Sequence, residues 1–162
     1  MTGDEKPLDG NNLPTEAGRR HALYDGKQAA FDALCSHEDE VATLPAGAQL
    51  LASNAVSRVQ AMAIEQDGKS FWGVQYHPEF DFASVAAIIA IRAERHLDEG
   101  LALTSAEVDT IVSDYRALAQ DPARKDLIWK YGLHADVLDP QVRTAEFGNW
   151  LRTKVLPHAA AR

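Results

Sequence analysis

A histidine and a glutamate stand two residues apart in Tyr76-His77-Pro78-Glu79, directly after the apolar and aromatic run Ser70–Tyr76. Side chains of an extended strand alternate with period two, so positions 77 and 79 face the same side. A carboxylate placed there can accept a hydrogen bond from one imidazole nitrogen, fix the tautomer and raise the basicity of the ring. The other nitrogen is then open to take a proton from a nucleophile and return it to a leaving group. Pro78 stiffens the backbone and moves Glu79 out of a regular ladder, which suits a site at a strand end. The same spacing also fits a surface histidine beside a proline-terminated strand, and the pair alone leaves both readings open. The one cysteine, Cys35, lies between Leu34 and Ser36 with no glycine on either side. A thiol at the end of a buried strand lacks the helix N-terminus that lowers its pKa and the sharp turn that exposes it. Cys35 is therefore expected to be a small core residue.

The elements that position these groups are legible from periodicity. Residues 1–14 are polar and rich in Gly, Asn, Asp and Pro, and read as a lead-in without regular structure. The runs AAFDALC (29–35) and QLLAS (49–53) read as strands. Val59–Glu65 alternates, with Val59, Ala61, Ala63 and Glu65 on one face. Asp67-Gly68 suits a two-residue turn, so 59–76 is predicted to be a β-hairpin. After residue 80 the period changes. Phe82, Val85, Ile88, Ile89 and Arg92 mark a helix running from the cap Asp81 to about Leu97, ended by Glu99-Gly100. Thr104 and Glu107 have capping-box spacing, and Val108, Ile111, Val112, Tyr115 and Leu118 form one apolar stripe. Two further helices are expected to start at Asp121-Pro122, ending near Gly132, and at Asp139-Pro140. The second should turn Val142, Ala145, Trp150 and Leu151 inward, with Asn149-Trp150-Leu151 docking it. Glu107, Asp109 and Asp114 read as a solvated helix face.

Composition bounds the partners. With 16 Lys+Arg against 24 Asp+Glu the net charge is −8, and no basic run exists, which argues against nucleic acid and anionic membranes. No apolar run reaches the roughly 18–20 residues of a membrane span, and the polar start carries no signal-peptide core, so the expected location is cytoplasmic. His134 and His158 are expected in loops without a spaced carboxylate or Cys cluster, so no metal site is assigned. No phosphate-binding or dinucleotide fingerprint occurs, and no cofactor is assigned.

The longer string Phe71-Trp-Gly-Val-Gln-Tyr-His-Pro-Glu-Phe80 resembles the signature of the class I glutamine amidotransferases, whose GVQ(F/Y)HPE strand delivers the His and Glu of a Cys-His-Glu triad. Ser36-His37-Glu38-Asp39-Glu40-Val41, then Leu44-Pro45, then Leu51-Ala52-Ser53-Asn54, is similar to the stretch that precedes it in that family. The resemblance covers about Thr15 to Leu97 and is closest to glutaminase domains like that of GMP synthase. It implies an α/β fold: part of a flavodoxin-like, Rossmann-like sheet with a β-hairpin, over residues 1–100, followed by a helical extension over 101–162. It also implies glutamine as substrate, hydrolysed through a glutamyl thioester with ammonia passed to an acceptor. His77 would be the general base and acid and Glu79 would orient it. Ser36, His37, Glu38 and Asp39 would line the glutamine pocket, largely through backbone groups.

The family's nucleophile is a Cys in a Gly-x-Cys-x-Gly elbow, and these 162 residues hold no such string. This leaves three readings. The chain is the C-terminal portion of an amidotransferase, inactive alone and completed by an N-terminal segment; or it is a non-catalytic relative serving in binding or assembly; or Cys35 is a relocated nucleophile. A doubly wound sheet lacking its first strands would expose apolar edges, so the isolated chain is expected to be a homo-oligomer, to pair with a complementing segment, or to be poorly stable.

Overall fold

In the computed structural model, residues 8–37, 39–98, 100, 102 and 104–160 are described. Five strands form one sheet: β1 (Leu8–Pro14), β2 (Phe31–Leu34), β3 (Ala48–Ser53), β4 (Ala61–Gln66) and β5 (Lys69–Val74), in the order β2-β1-β3-β4-β5. The α/β expectation holds. The pairings among these strands are all antiparallel, however, whereas a flavodoxin-like sheet is built on parallel ones. The links from β3 to β4 and from β4 to β5 are too short for the crossover that a parallel pair requires.

The hairpin is the clearest match between sequence and structure. Gln66 faces Lys69 across Asp67-Gly68, whose φ angles of 52° and 71° give the left-handed turn that the pair favours. Val59, Ala61 and Ala63, from one face of the predicted alternation, are buried, Gln60 is buried with them, and Glu65 is exposed. The polar lead-in is corrected in part. Residues 1–7 lie outside the described residues, but Leu8–Pro14 is a strand that crosses from β2 to β3 at a bulge. There Asn11 takes a φ of 62° and donates its backbone N–H to Asp32 Oδ1 at 3.1 Å, which is why an Asn-rich, turn-like composition is compatible with a strand.

The sheet curls until its two ends meet: the His77 backbone N–H, just past β5, donates to the Leu34 carbonyl of β2 at 2.8 Å. Inside the curl sits one apolar cluster containing Tyr24, Phe31, Cys35, Leu51, Ala61, Ala63 and Tyr76. The helix α1 (Glu16–Arg19) lies so close to β3 that a Cβ on Gly18 would stand 2.0 Å from the Leu51 carbonyl oxygen, so only glycine fits.

A second cluster joins Leu34 to the helices. The predicted helix after Asp81 is two pieces, α2 (Phe82–Ile91) and α3 (Ala93–Asp98), broken at Arg92. The stripe of α4 (Ser105–Gln120) buries Val108, Val112, Tyr115 and Leu118, and the capping box on Thr104 forms as expected. Helix α5 (Lys125–Tyr131) starts later than predicted. Asp121 spends its side chain on the Ala123 N–H and closes a turn, leaving Arg124 as the N-cap, while Gly132 ends the helix with a φ of 62°. Asp114, expected on a solvated face, instead ties α4 to α5 by accepting from Lys130 Nζ at 2.6 Å and Tyr131 Oη at 2.9 Å.

The chain continues through α6 (Ala135–Leu138), α7 (Pro140–Arg143), α8 (Ala145–Trp150), a π-helical turn (Leu151–Val155) and α9 (Leu156–Ala160). Asp139 caps α7 with Pro140 at its first position, as predicted. The inward face of α8 differs from expectation: the buried residues are Glu146 and Asn149, and Trp150 is exposed. Asn149 does dock the helix, donating from Nδ2 to the carbonyls of Leu23 and Asp25 at 2.8 and 2.9 Å. His134 stands at the N-cap position of α6 without a side-chain capping bond, and His158, expected in a loop, falls on α9. Among the described residues no helix is long and apolar enough to cross a membrane.

Candidate functional site

The chain bends at Gln75 and Tyr76 after β5 and is held there by the Gln75 N–H on the Gln60 carbonyl at 2.9 Å and by the His77 N–H on the Leu34 carbonyl. Pro78 supplies no N–H, and the Phe80 N–H returns to the His77 carbonyl at 3.1 Å, so the backbone turns there. That turn brings Glu79 back onto its neighbour: His77 Nδ1 lies 2.7 Å from Glu79 Oε1. Phe80 stacks on the imidazole, with ring centroids 4.0 Å apart and planes 4° from parallel. The ring is thus fixed on one face by an aromatic and at one nitrogen by a carboxylate. A third of the His77 side chain remains open to solvent, and Glu79 is largely exposed.

Helix α2 anchors the far side of this turn. Asp81 accepts from the Ser84 N–H at 2.7 Å and from its hydroxyl at 2.8 Å, and these bonds hold the Asp81 carboxyl below its usual range. A carboxylate whose folded pKa is depressed stabilises the fold above its unfolded pKa, here 3.8, and loses that stabilisation as pH falls through the folded value. Asp81→Ala is therefore expected to cost about 1 kcal/mol near neutral pH, the usual worth of an N-cap. The melting difference between the two proteins should shrink as the pH is lowered below that unfolded value, and thermal melts at a series of pH values check it.

The loop after β2 meets the same strand end. Gln75 Nε2 donates to the Asp39 carbonyl at 3.0 Å, and His37 Nδ1 donates to that carbonyl, also at 3.0 Å. Ser36 Oγ accepts from Arg92 Nη1 at 3.0 Å, which ties the loop to the break between α2 and α3. Ser36, His37 and Asp39 are thus brought beside the His77 strand. Glu38 lies outside the described residues. The Ser36 and His37 side chains are committed to protein partners, so what this loop can offer a ligand is mainly its backbone.

Cys35 is buried in the cluster inside the curl together with Tyr76. His77 follows the bend at Tyr76, and its stacking partner Phe80 packs on the helical cluster. Thiol and imidazole are therefore set against different clusters. Among the described residues no three of His, Cys, Asp or Glu converge as a metal site would need.

Sequence reasoning missed a buried polar group behind the strand. Glu146 Oε1 accepts from Lys27 Nζ at 3.1 Å and from the Tyr76 hydroxyl at 2.8 Å, and both charged side chains are 2% exposed. The Tyr24 and Tyr76 hydroxyls lie 3.0 Å apart. Burial raises the pKa of Glu146, with Lys27 pulling it down, and burial also raises both tyrosines. These partners come from distant parts of the chain, and nothing in local spacing signals such a pairing.

The family model for class I glutamine amidotransferases matches residues 2–86, just over half of the chain. A gamma-glutamyl-L-1-hydroxyisopropylamide hydrolase from a Pseudomonas species is 32% identical over 148 residues, covering 90% of this chain and 49% of the relative. A glutamine-hydrolyzing GMP synthase subunit from Saccharolobus solfataricus is 54% identical over 44 residues, 27% of this chain and 22% of that protein. The GMP synthase of Aeromonas hydrophila is 41% identical over 73 residues, 43% of this chain and 13% of the enzyme. The chain spans about half the length of the hydrolase and less of each synthase.

Proposed function

Since the chain belongs to the class I glutamine amidotransferases, we propose that it carries the acid–base half of a site that hydrolyses γ-glutamyl amides. The observation that carries this reading is the 2.7 Å contact between His77 Nδ1 and Glu79 Oε1. An ionised carboxylate only accepts, so Nδ1 holds the proton and Nε2 of the neutral ring is left as the base. Nε2 takes the proton of a thiol, and the thiolate adds to the γ-carbonyl carbon. Collapse of the tetrahedral adduct breaks the C–N bond, with Nε2–H protonating the departing amine. Water then adds to the thioester, giving its proton to Nε2, and the thiol leaves with that proton. Glutamine yields glutamate and ammonia by this route.

The thiol comes from outside these 162 residues, from an N-terminal amidotransferase segment in the same or a partner chain, because Cys35 is buried in the cluster inside the curl while His77 stacks on Phe80 beside the helical cluster. Ser36, His37, Glu38 and Asp39 line the γ-glutamyl group. Residues 1–100 make up the amidotransferase portion and 101–162 a helical extension, acting in the cytoplasm. The match to the γ-glutamyl amide hydrolase runs over nine-tenths of this chain, while the synthase matches are confined to shorter stretches, which favours a hydrolase over an ammonia donor for nucleotide synthesis. A second reading, a non-catalytic assembly module, is favoured by the burial of Cys35.

A diazoketone analogue of glutamine, which alkylates the thiol of such sites, separates them. The chain alone should take no label and release no ammonia from glutamine. The protein or complex isolated from the native source should be labelled at a cysteine outside these residues. Label at Cys35, with turnover lost in Cys35→Ser, would overturn the shared site, and no label in either preparation would favour the assembly module.

A further inference from the structure

We propose that Glu146, in the helical extension, is a positioning residue for His77, acting through the Tyr76 hydroxyl; the catalytic part of this inference rests on the function proposed above. The hydrogen bonds have one consistent direction. The Glu146 carboxylate accepts, so Tyr76 donates to it, and the Tyr24 hydroxyl must then donate to Tyr76. Lys27 Nζ is the second donor to the same oxygen and also bonds the Val142 carbonyl at 3.1 Å. The chain of contacts therefore runs Tyr24, Tyr76, Glu146, Lys27, closed at one end by the 3₁₀ turn Ala22–Tyr24 and at the other by α7.

Tyr76 is the residue before His77, and both lie beyond the last ladder pair of β5. Two backbone hydrogen bonds, from Gln75 and His77, hold this stretch along its length. The tyrosine adds a side-chain anchor: its ring packs edge-on against Phe31 at 5.5 Å and its hydroxyl is pinned to a charged acceptor on another element. Tyr76 and His77 share one planar peptide unit at this bend, so fixing the Tyr76 side chain limits how far the backbone that carries the His77 ring can turn. A charged acceptor makes a shorter and stronger hydrogen bond than a neutral one, which suits a hinge that must not turn. This gives a buried carboxylate of the extension, paired with Lys27, a task at the strand end.

The test uses the full chain and reads His77 directly by ¹⁵N NMR of its ring, which reports the tautomer ratio. Tyr76→Phe removes one oxygen and keeps the ring on Phe31; its thermal melt confirms folding. The Nδ1–H to Nε2–H ratio of neutral His77 should fall about fivefold in this variant, the population change one lost hydrogen bond carries. Asn149→Ala loosens the docking of the same helix without touching the hydroxyl chain, and should leave the ratio unchanged. An unchanged ratio in Tyr76→Phe, or an equal change in Asn149→Ala, would overturn the proposal. In the native assembly, kept free of the diazoketone, Tyr76→Phe should also lower kcat with KM unchanged. Absence of turnover there would strike the proposed reaction alone, since the ring tautomer is read without it.

Discussion

Lys27→Met is expected to destabilise the chain by about 3–5 kcal/mol, and the double variant Lys27→Met, Glu146→Leu to recover most of that loss. Both side chains are 2% exposed, so neither can turn to water when its partner is removed. Lys27 also spends its charge on the Val142 carbonyl and over the Phe31 ring, 4.4 Å from its centre, and methionine replaces only the apolar part of those contacts. Burial already raises the Glu146 pKa, and Lys27 is the strongest influence against it. Without the lysine the folded pKa climbs further above the unfolded value of 4.5. A carboxyl with a raised folded pKa binds its proton more tightly when folded, so stability is fullest below 4.5 and falls as pH rises through the folded value. The deficit of Lys27→Met should therefore be smallest in acid and grow toward neutrality. Urea unfolding of the three proteins across about pH 4–8 measures it. A single variant as stable as wild type at neutral pH would show that water reaches Glu146.

How much of the fold is legible in the sequence depends on range. The hairpin is legible because its information is local: alternation over a few residues and one Asp-Gly pair. The capping box at Thr104 and the stop at Gly132 are legible for the same reason. The Leu8–Pro14 strand is not, since a bulge and a left-handed Asn give it the composition of a loop. Helix α8 misleads in the opposite sense. An apolar pattern places Trp150 inward, but the face that docks is polar, because the surface awaiting it offers the Leu23 and Asp25 carbonyls and the Lys27 ammonium. His77 and Glu79 emerge from spacing, and their contact at 2.7 Å comes from the proline turn between them. Arg92 reads as part of an apolar face, and its bond to Ser36 arises where α2 breaks, which periodicity does not mark.

The exposure of Glu79 sets the order of a second series of effects. On the proposed reaction, His77→Ala in the native assembly should lower kcat by about 10²–10⁴, the range that a general acid–base group supplies. Glu79 is 65% exposed, so solvent screens its charge and what it contributes is chiefly the direction of the ring. Glu79→Gln keeps an oxygen able to accept from Nδ1–H and should stay within about tenfold of wild type. Glu79→Ala leaves the ring held by Phe80 alone on one face, free to exchange tautomers with water, and should fall by about 10²-fold. Neither change touches the γ-glutamyl group, so KM should hold while kcat moves. Initial rates of ammonia release from glutamine order the three variants. If Glu79→Gln fell as far as Glu79→Ala, the charge rather than the orientation of the ring would be what the carboxylate supplies. If Glu79→Ala matched wild type, the aromatic stack would suffice to hold His77, and the pair two residues apart would be a consequence of the turn at Pro78 alone.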